Sequence, residues 1–541
     1  MNSATERFRI VSYIAGKAAV ASIKPLGTRA GADLLRAGGN AVDAAIGAML
    51  VECVSQPQSV GIAGYGGVMT IYIAREHRVA CVDFNSIAPR AVKEDMFKLD
   101  PDAPGGIGES GLAPVRGRVN EYGGLSLTVP GNIAGLALAL SEYGTMSWAE
   151  VSKAAIHAAE NGTPVDADLA AALRRFADNT DDISKRAFFG DRAIPSEGEL
   201  LFQPDLAKLM RKLADEGPEA FYGPEIAGQI IKRVEEIGGI LQIEDFSDYS
   251  PTLPEPISVS CGSFELFTAP VPTGGLTSLE IVKAMHALGI NEEDFAAGRY
   301  HHLLIEITKL AWQDRLELFG DPAFTEDHTE RLLSEDHIKS ILSRIPDAVP
   351  ADAPTCAESA ETHTVHTVAA DAEGNLASLT ATMGGHFGSR IVVDGLGIAL
   401  GHGMSRFHPV PGHPNSIAPG KRPLHNMSPM ILLRDGKPYC AFGLPGGRKI
   451  VNVSAQLALG FIEFGMIPAQ AIAMPRIHTE GFEPITITSD TPGNVLEYLE
   501  ARGHNLNPVE NIGMAPTAAM ITPEGNRLAA SQTGKESSAV V

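Results

Sequence analysis

The chain has 541 residues, of which 44% are hydrophobic and 20% charged, so it can bury a large core and is not mainly disordered. Its formal net charge of −22 repels phosphate backbones and anionic lipid, which argues against nucleic acids and membrane surfaces as partners. The 5 cysteines are widely spaced and include no CxxC pair, which excludes a disulfide framework and a zinc finger.

The sequence of the N-terminal quarter predicts a short strand followed by two helices. Residues 1–25 predict the strand-like entry. Met1 to Lys17 contains no apolar run of seven, so we expect no signal peptide and a cytoplasmic protein. Apolar spacing predicts a helix from Gly27 to Arg36, ended by Gly38-Gly39. Asn40 is expected to cap the second helix, whose apolar face consists of small residues.

The middle of the chain predicts two strands followed by mainly helical structure. The strands are Val68 to Ala74 and Arg78 to Asn85, where apolar and polar residues alternate. Residues 101–124 are rich in glycine, proline and charge and predict a surface loop. The helical segments are residues 145–240, Leu279 to Leu288 and His301 to Phe319.

The last third of the chain predicts strands after a polar segment. Residues 321–361 are polar, end in Asp352–Ser359 and predict an exposed tether. Thr364 to Ala370 and Leu376 to Met383 have the composition of strands, and Asp371–Asn375 between them is a hairpin turn signal. Further strand character appears at residues 391–393, 430–433 and 438–442, followed by a helix from Val451 to Phe464.

Thr364 stands where the predicted tether meets a strand. A threonine hydroxyl is a weak nucleophile, but at the start of a chain its own α-amine, with a pKa near 8, can act as the base. This chemistry requires cleavage between His363 and Thr364, and an exposed tether suits such a cleavage. A threonine at a strand start is usually only a β-former, so this segment alone leaves a structural role open.

A series of motifs runs along nearly the whole chain in a fixed order. They are Gly38–Ala45, Gly64–Gly67, Val129–Gly131, Pro272–Gly275, Glu306 with Lys309, Ala311 and Asp314-Arg315, Thr364–His366 with Asp371 and Gly374-Asn375, Arg422–Leu424, Met427–Pro429 and Pro445–Gly447. Together they resemble the γ-glutamyltranspeptidase family of N-terminal-nucleophile hydrolases. The resemblance implies an α+β fold, the four-layer αββα sandwich of those hydrolases.

The resemblance also implies the roles of individual residues. Thr364 matches the nucleophile, which would attack its own preceding peptide bond first and substrate amides afterwards. Thr382 matches a second threonine that helps to hold the nucleophile. Gly446 and Gly447 match the pair whose backbone N–H groups form the oxyanion hole, and glycine allows the close backbone approach that this needs.

Cleavage before Thr364 would divide the chain into two fragments. Residues 1–363 would form a large, mostly helical fragment, and residues 364–541 would form a small one that begins with the catalytic threonine. The two would stay together as a heterodimer within one fold, and further pairing is left open. The resemblance implies no cofactor and no metal, and the expected partner is a small-molecule amide.

Four positions depart from the pattern of the family. An arginine that grips the substrate's α-carboxylate is replaced by Asn85. The acid that binds the α-amino group is replaced by Arg406, and the serine pair before Met427 is His425-Asn426. The segment between Phe407 and Arg422 is short, so the usual lid over the site is expected to be missing.

These departures predict a changed substrate. A cation cannot hold an ammonium group, so Arg406 favours an acyl group that carries a carboxylate without an α-amine. Asn85, His425 and Asn426 are expected to complete the binding site. Oxamate-like and glutaryl-like amides fit this interpretation, while ordinary γ-glutamyl hydrolysis, with glutathione as a substrate, is the alternative.

Other motifs favour structural interpretations. The Gly64–Gly67 turn has no following Lys-Ser/Thr, so it does not predict a phosphate-binding loop. His301-His302 lies near Glu306 without the HExxH spacing of zinc hydrolases, so no metal site is expected. A metallohydrolase and a catalytically silent scaffold that never matures are the rival hypotheses, and the retained Thr364, Thr382 and glycine pair argue against the second.

Overall fold

The computed structural model describes residues 16–102, 112–350 and 363–541. Residues 1–15 of the strand entry predicted at residues 1–25, part of the loop predicted at 101–124, and the end of the predicted tether, Asp352–Ser359, lie outside these described residues. The rest of the strand entry is described and contains the strand Ala19–Ala21. The described part is built from two large sheets and from helices that cover them.

The helices are named in chain order. They are α1 (Pro25–Arg36), α2 (Ala41–Ser55), α3 (Asn132–Tyr143), α4 (Trp148–Asn161), α5 (Ala167–Asp178), α6 (Asp182–Phe189), α7 (Pro204–Glu216), α8 (Pro224–Glu236), α9 (Ile243–Asp248), α10 (Gly275–Ala287), α11 (Glu292–Ala297), α12 (Arg299–Leu318), α13 (Thr329–Leu332), α14 (Glu335–Ser343), α15 (Lys449–Ile462), α16 (Pro468–Ala473) and α17 (Gly493–Glu500).

The strands are named in the same way. They are β1 (Ala19–Ala21), β2 (Gly66–Ile73), β3 (Arg78–Asp83), β4 (Thr163–Pro164), β5 (Leu200–Leu201), β6 (Ile257–Cys261), β7 (Phe264–Thr268), β8 (His363–Ala370), β9 (Leu376–Gly384), β10 (Val392–Val393), β11 (Ile398–Ala399), β12 (Met430–Arg434), β13 (Lys437–Gly443), β14 (Ile477–His478), β15 (Ile485–Thr488), β16 (Leu506–Val509), β17 (Thr517–Ile521), β18 (Arg527–Ser531) and β19 (Ser538–Val540).

Two six-stranded antiparallel sheets form the centre of the fold. The first has the order β19-β1-β8-β9-β2-β3 and the second β18-β17-β13-β12-β7-β6. Their facing sides pack together through small and branched side chains, among them Val368, Ala370 and Leu376 of the first sheet and Ile431, Ala441 and Ala519 of the second. The opposite faces pack on helices, α1 and α2 on the first sheet and α10, α12 and α15 on the second. The predicted four-layer αββα sandwich is therefore confirmed.

Both predicted fragments contribute strands to both sheets. In the first sheet β1 pairs with β8, and β2 pairs with β9. In the second sheet β7 pairs with β12. The segments before and after Thr364 are thus interleaved, and cleavage at that point would leave each sheet held together by backbone hydrogen bonds between fragments.

Local signals explain where several helices begin. Asn40 caps α2 as predicted, because its side chain accepts hydrogen bonds from the backbone N–H groups of Val42 and Asp43. Helix α10 begins earlier than the predicted Leu279, because the Thr273 hydroxyl accepts the Gly275 N–H at 3.1 Å and so supports an earlier start.

Two further predictions concern cysteines and membranes. The cysteines in the described part of the chain, Cys53, Cys81, Cys261 and Cys440, are buried and free. In that same part, no helix combines the length and the apolar character needed to cross a bilayer.

Candidate active site

Thr364 and Thr382 face each other across the two central strands of the first sheet. They are direct cross-strand partners of β8 and β9, and their hydroxyl oxygens lie 3.1 Å apart, with Thr364 donating to Thr382. The Thr382 hydroxyl in turn accepts the backbone N–H of Gly384 at 2.9 Å. The register of β8 is irregular between His363 and Thr364, at the bond predicted to be cleaved. Irregular pairing of this kind is common next to active sites because it changes the direction of a side chain.

The hairpin after Thr364 is anchored by the residues of its turn. Asp371 accepts the first N–H of α2 from Ala41 at 3.0 Å, and it also accepts the Asn375 side-chain amide at 2.6 Å. On the strand itself, the Thr367 hydroxyl donates to the Ala45 carbonyl at 3.1 Å. These bonds fix β8 against α2, so the position of Thr364 is set by a rigid sheet and helix.

Gly446 and Gly447 form a turn between β13 and α15. Their φ angles are 142° and 61°, which are unfavourable for any residue other than glycine. A Cβ at Gly446 would lie 2.9 Å from Cγ of Met514. Within the described residues neither amide donates a hydrogen bond to another group. The turn therefore leaves two donors open, as an oxyanion hole requires.

A cavity of about 500 Å³ opens beside Thr364, and Pro445 and Gly446 line it. Thr364 is 6% exposed, so only a small part of its side chain is accessible. Among the described residues that line the cavity, the cationic side chains are Lys24, Arg175, Arg448 and Lys449, and the acidic ones are Asp168 and Glu480. The nucleophile candidate thus lies in a cavity whose charged lining is mainly positive.

Arg406 contacts the C-terminal end of β9, the strand that carries Thr382. It ends a short 3-10 helix and is buried, and its Nη2 donates to the Gly384 carbonyl at 3.0 Å. The guanidinium also lies 5.9 Å from the centre of the Tyr65 ring. Arg406 lines a separate cavity of about 50 Å³, together with Asn426 and Trp312. The hydrogen-bond path from Arg406 to Thr364 runs through Gly384 and Thr382.

Buried imidazoles near Arg406 are held neutral. Burial, and to a smaller extent the charge of Arg406, lowers the pKa of His402 to about 3. Burial lowers the pKa of His425 to about 3, with smaller contributions from Arg315 and Arg406. His386 lines the larger cavity, and burial together with Arg175 and Arg390 lowers its pKa to about 4. None of these imidazoles adds positive charge to the site at neutral pH.

The other predicted binding residues lie farther from the cavity. Asn85 is fully buried, and its amide donates to the Pro423 carbonyl at 2.6 Å. His425 is buried, and its Nδ1 accepts the Met427 N–H at 3.2 Å. The Asn426 side chain accepts a hydrogen bond from Arg315 at 2.8 Å. Neither Asn85 nor His425 is among the described residues that line the two cavities, whereas Asn426 lines the smaller one. Their predicted binding roles stay predictions.

Two charged residues of the site, Arg448 and Glu480, are not among those predicted from the sequence. Arg448 lines both cavities and forms an ion pair with Glu480 at 3.1 Å. Arg448 follows Gly447 directly, so its position next to the predicted oxyanion hole could have identified it as a residue of the site. Glu480 comes from a distant loop, and nothing in the sequence links it to this site.

A second polar cluster is buried between α12 and the segments that carry Glu483 and His504. Lys309 contacts the carboxylates of Glu306 and Glu483 at 2.7 and 2.8 Å, and His504 lies 3.0 Å from Glu483. His302 bonds to His504 at 2.9 Å and, through its other nitrogen, to the Pro346 carbonyl. His302, Glu306 and His504 are close enough to bind a metal ion together, but the Lys309 ammonium already supplies a cation to this cluster.

The comparison with known proteins agrees with the residue pattern. The sequence profile described as "Gamma-glutamyltranspeptidase" matches residues 27–541. The chain belongs to the γ-glutamyltranspeptidase family. Members of this family are enzymes with the N-terminal-nucleophile hydrolase fold.

Relatives within the γ-glutamyltranspeptidase family carry two kinds of name. The chain is 32% identical over 515 residues to the glutathione hydrolase proenzyme of Bacillus subtilis (strain 168), covering 91% of this chain and 86% of that protein. It is 32% identical over 510 residues to the acylase ACY 1 proenzyme of Pseudomonas sp. (strain V22), covering 93% and 89%. The crystal structure of cephalosporin acylase from Bacillus halodurans has a TM-score of 0.86 at 27% identity, covering 98% of this chain and 97% of that one.

Proposed function

We propose that this protein is an N-terminal threonine amidohydrolase that cleaves itself before Thr364 and then hydrolyses amides of small acids that carry a second carboxylate. The observation that carries the proposal is the Thr364–Thr382 hydroxyl pair beside a cavity whose charged lining is mainly positive. Oxamate-like and glutaryl-like amides are the substrates with this chemistry.

Maturation follows from the position of the hydroxyl. The Thr364 oxygen attacks the carbonyl carbon of His363, and the C–N bond breaks to give an ester and a free α-amine on Thr364. Water then hydrolyses the ester, which leaves a carboxylate on His363. The new α-amine is the base that the threonine hydroxyl needs in later cycles. The resulting fragments, residues 1–363 and 364–541, remain a heterodimer because their strands are interleaved.

The catalytic cycle repeats the same chemistry on a substrate. The Thr364 oxygen attacks the amide carbon, and the charge that develops on the carbonyl oxygen is stabilised by the N–H groups of Gly446 and Gly447. The amine leaves with the proton taken from the hydroxyl. Water attacks the acyl-threonine ester and releases the acid, while an amine in place of water gives acyl transfer.

The charges around the site support an anionic acyl group. Asn85 is buried away from the cavity and Arg406 stands where the family has an acid. Neither residue therefore binds the α-carboxylate or the α-amino group of a γ-glutamyl substrate in the usual way. The cationic lining favours a substrate carboxylate and opposes an isolated ammonium. Ordinary γ-glutamyl hydrolysis is the second candidate, since the Bacillus subtilis relative is named a glutathione hydrolase. Cytoplasmic location stays a prediction.

The test compares three anilides that differ only in the end of the acyl chain. Glutaryl p-nitroanilide carries a carboxylate, γ-glutamyl p-nitroanilide adds an α-ammonium, and pentanoyl p-nitroanilide carries neither charge. We expect the highest kcat/KM for the glutaryl compound. If the γ-glutamyl anilide is the better substrate, the second candidate is correct, and if the uncharged anilide is best, the proposed substrate class is wrong.

A further inference from the structure

One side chain connects the two cavities of the site. Arg448 lines both the larger cavity with Thr364 and Gly446 and the smaller cavity with Arg406. It is only 7% exposed, so its charge lies in a largely water-excluded position. A buried cation that borders a substrate cavity interacts with a bound anion more strongly than an exposed one, because solvent screens it less.

The position of Arg448 is fixed by its neighbours. Its Nη1 lies 3.1 Å from the Glu480 carboxylate, and the centre of its guanidinium lies 4.8 Å from the Trp312 ring. Trp312 is itself held, since its indole N–H donates to Asn452 of α15 at 2.6 Å. An arginine has five N–H donors in a planar arrangement, so the contact with Glu480 leaves donors for a second carboxylate.

The other cations of the site are less suited to bind the acyl group. Lys24 forms an ion pair with Asp166, and Arg175 is exposed and contacts His386 at 3.3 Å. Lys449 also lines the larger cavity but is less buried than Arg448. Arg406 donates to the Gly384 carbonyl and lines the smaller cavity instead of the larger one. Arg448 combines burial, a fixed orientation and direct contact with the cavity of Thr364.

We infer that Arg448 binds the free carboxylate of the acyl group and thereby sets the preference for diacid monoamides; this inference rests on the proposed function. Arg448 follows Gly447 directly, so the cation and the N–H groups that hold the reacting carbonyl belong to one short segment. The geometry therefore couples the position of the substrate carboxylate to that of the amide carbon. An acyl chain of matching length satisfies both contacts, and a neutral chain satisfies only one.

The experiment measures one ratio in matched variants. The ratio is kcat/KM for glutaryl p-nitroanilide divided by kcat/KM for pentanoyl p-nitroanilide, which isolates the contribution of the carboxylate. The variants are Arg448→Gln, Arg448→Lys and the control Arg406→Gln, and a denaturing gel checks that each has been cleaved. Loss of one partner of a buried charge pair commonly costs about 30-fold or more in binding. We expect Arg448→Gln to lower the ratio about 100-fold and Arg448→Lys about 10-fold, because an ammonium keeps the charge but loses the planar fork.

The outcomes separate this inference from the proposed function. If the wild-type ratio is near one, the proposed substrate class is wrong whatever Arg448 does. If the wild-type ratio is high and Arg406→Gln abolishes it while Arg448→Gln does not, the carboxylate binds Arg406 and the inference is wrong. An unchanged ratio in both Arg448 variants, with turnover of both anilides reduced equally, assigns Arg448 a structural role. If Arg448→Gln accumulates uncleaved, Arg448→Lys decides between these outcomes.

Discussion

The cavity beside Thr364 and the buried cluster around Lys309 are both polar, yet their hydrogen-bonding groups are used differently. In the cluster, Lys309 contacts two carboxylates, and His504 bonds to one of them and to His302. Beside Thr364, the Gly446 and Gly447 amides donate to no group within the described residues. One region is satisfied by its own side chains, and the other keeps donors open.

This difference distinguishes a polar region that supports the fold from one that supports chemistry. A buried ion cluster with every partner in place stabilises one arrangement and loses much when a member is removed. A site with unused donors gains little stability from them, and those donors act on a substrate instead. Changes in the cluster should therefore alter stability, whereas changes beside Thr364 should alter cleavage and turnover.

The largest expected effect is on maturation. Thr364→Ala removes the hydroxyl that attacks the His363 carbonyl, so we expect a single uncleaved chain of 57.1 kDa and no amidase activity. A denaturing gel and an anilide assay measure both effects. The matched control is Thr367→Ala on the same strand, whose hydroxyl bonds only to the Ala45 carbonyl among the described residues. It should be cleaved and active, because Asp371 still accepts the Ala41 N–H and holds the hairpin against α2.

N-terminal sequencing of the small fragment tests whether cleavage occurs before Thr364. The wild-type small fragment should begin Thr-Val-His-Thr. A different start, or normal cleavage of Thr364→Ala, would show that another residue is the nucleophile.

The next effect is on stability and arises in the cluster. Lys309→Met leaves Glu306 and Glu483 facing each other without the ammonium, and loss of one partner from a buried ion pair costs about 3–5 kcal/mol. We expect a clear fall in the thermal unfolding midpoint.

The same cluster makes stability depend on pH. Burial alone raises the pKa of Glu483, but hydrogen bonds from His504 and Lys309 outweigh it and lower the pKa. A lowered carboxyl pKa stabilises the fold above its unfolded value near 4.5, and that stabilisation is lost as the pH falls.

The variant should therefore lose most stability at neutral pH and less in acid. Lys339→Met is the control, because Lys339 is exposed and lies 3.9 Å from Asp336, which is also exposed. Exposed pairs contribute about 0–1 kcal/mol, so its midpoint should stay near that of the wild type. Equal midpoints for Lys309→Met and the wild type would contradict the stabilising role of the cluster.

Local signals in the sequence predicted most of the framework of the site. The hairpin of Thr364 and Thr382 has strand composition and a strong turn signal, and sequence order alone makes the two strands neighbours. The Asn40 cap and the Asp371 turn are likewise short-range features. Such elements depend on residues close in the chain, so their pattern is visible without the fold.

Long-range packing decided what the sequence could not show. Asn85 stands at a predicted binding position in place of the family's arginine, but only the fold places it against the Pro423 carbonyl, outside the cavity. The pairing of Arg448 with Glu480, and of Lys309 with Glu483, joins residues that are distant in sequence. No periodicity or motif encodes such contacts, because they result from the packing of the second sheet and its helices.

The smallest expected effect tests the open donors of the turn. Gly447→Ala and Gly465→Ala place a Cβ at nearly the same φ, 61° and 58°, where an L-residue costs about 1–2 kcal/mol. Both variants should therefore lose a similar amount of stability. Only Gly447→Ala should lower kcat, by about 10–100-fold, because relief of the strain turns an N–H away from the oxyanion. KM should change little, because the charge of the oxyanion exists only in the tetrahedral intermediate. Steady-state kinetics on the cleaved proteins measures the difference, and equal kcat values for the two variants would mean that this turn is structural and that the oxyanion is stabilised elsewhere.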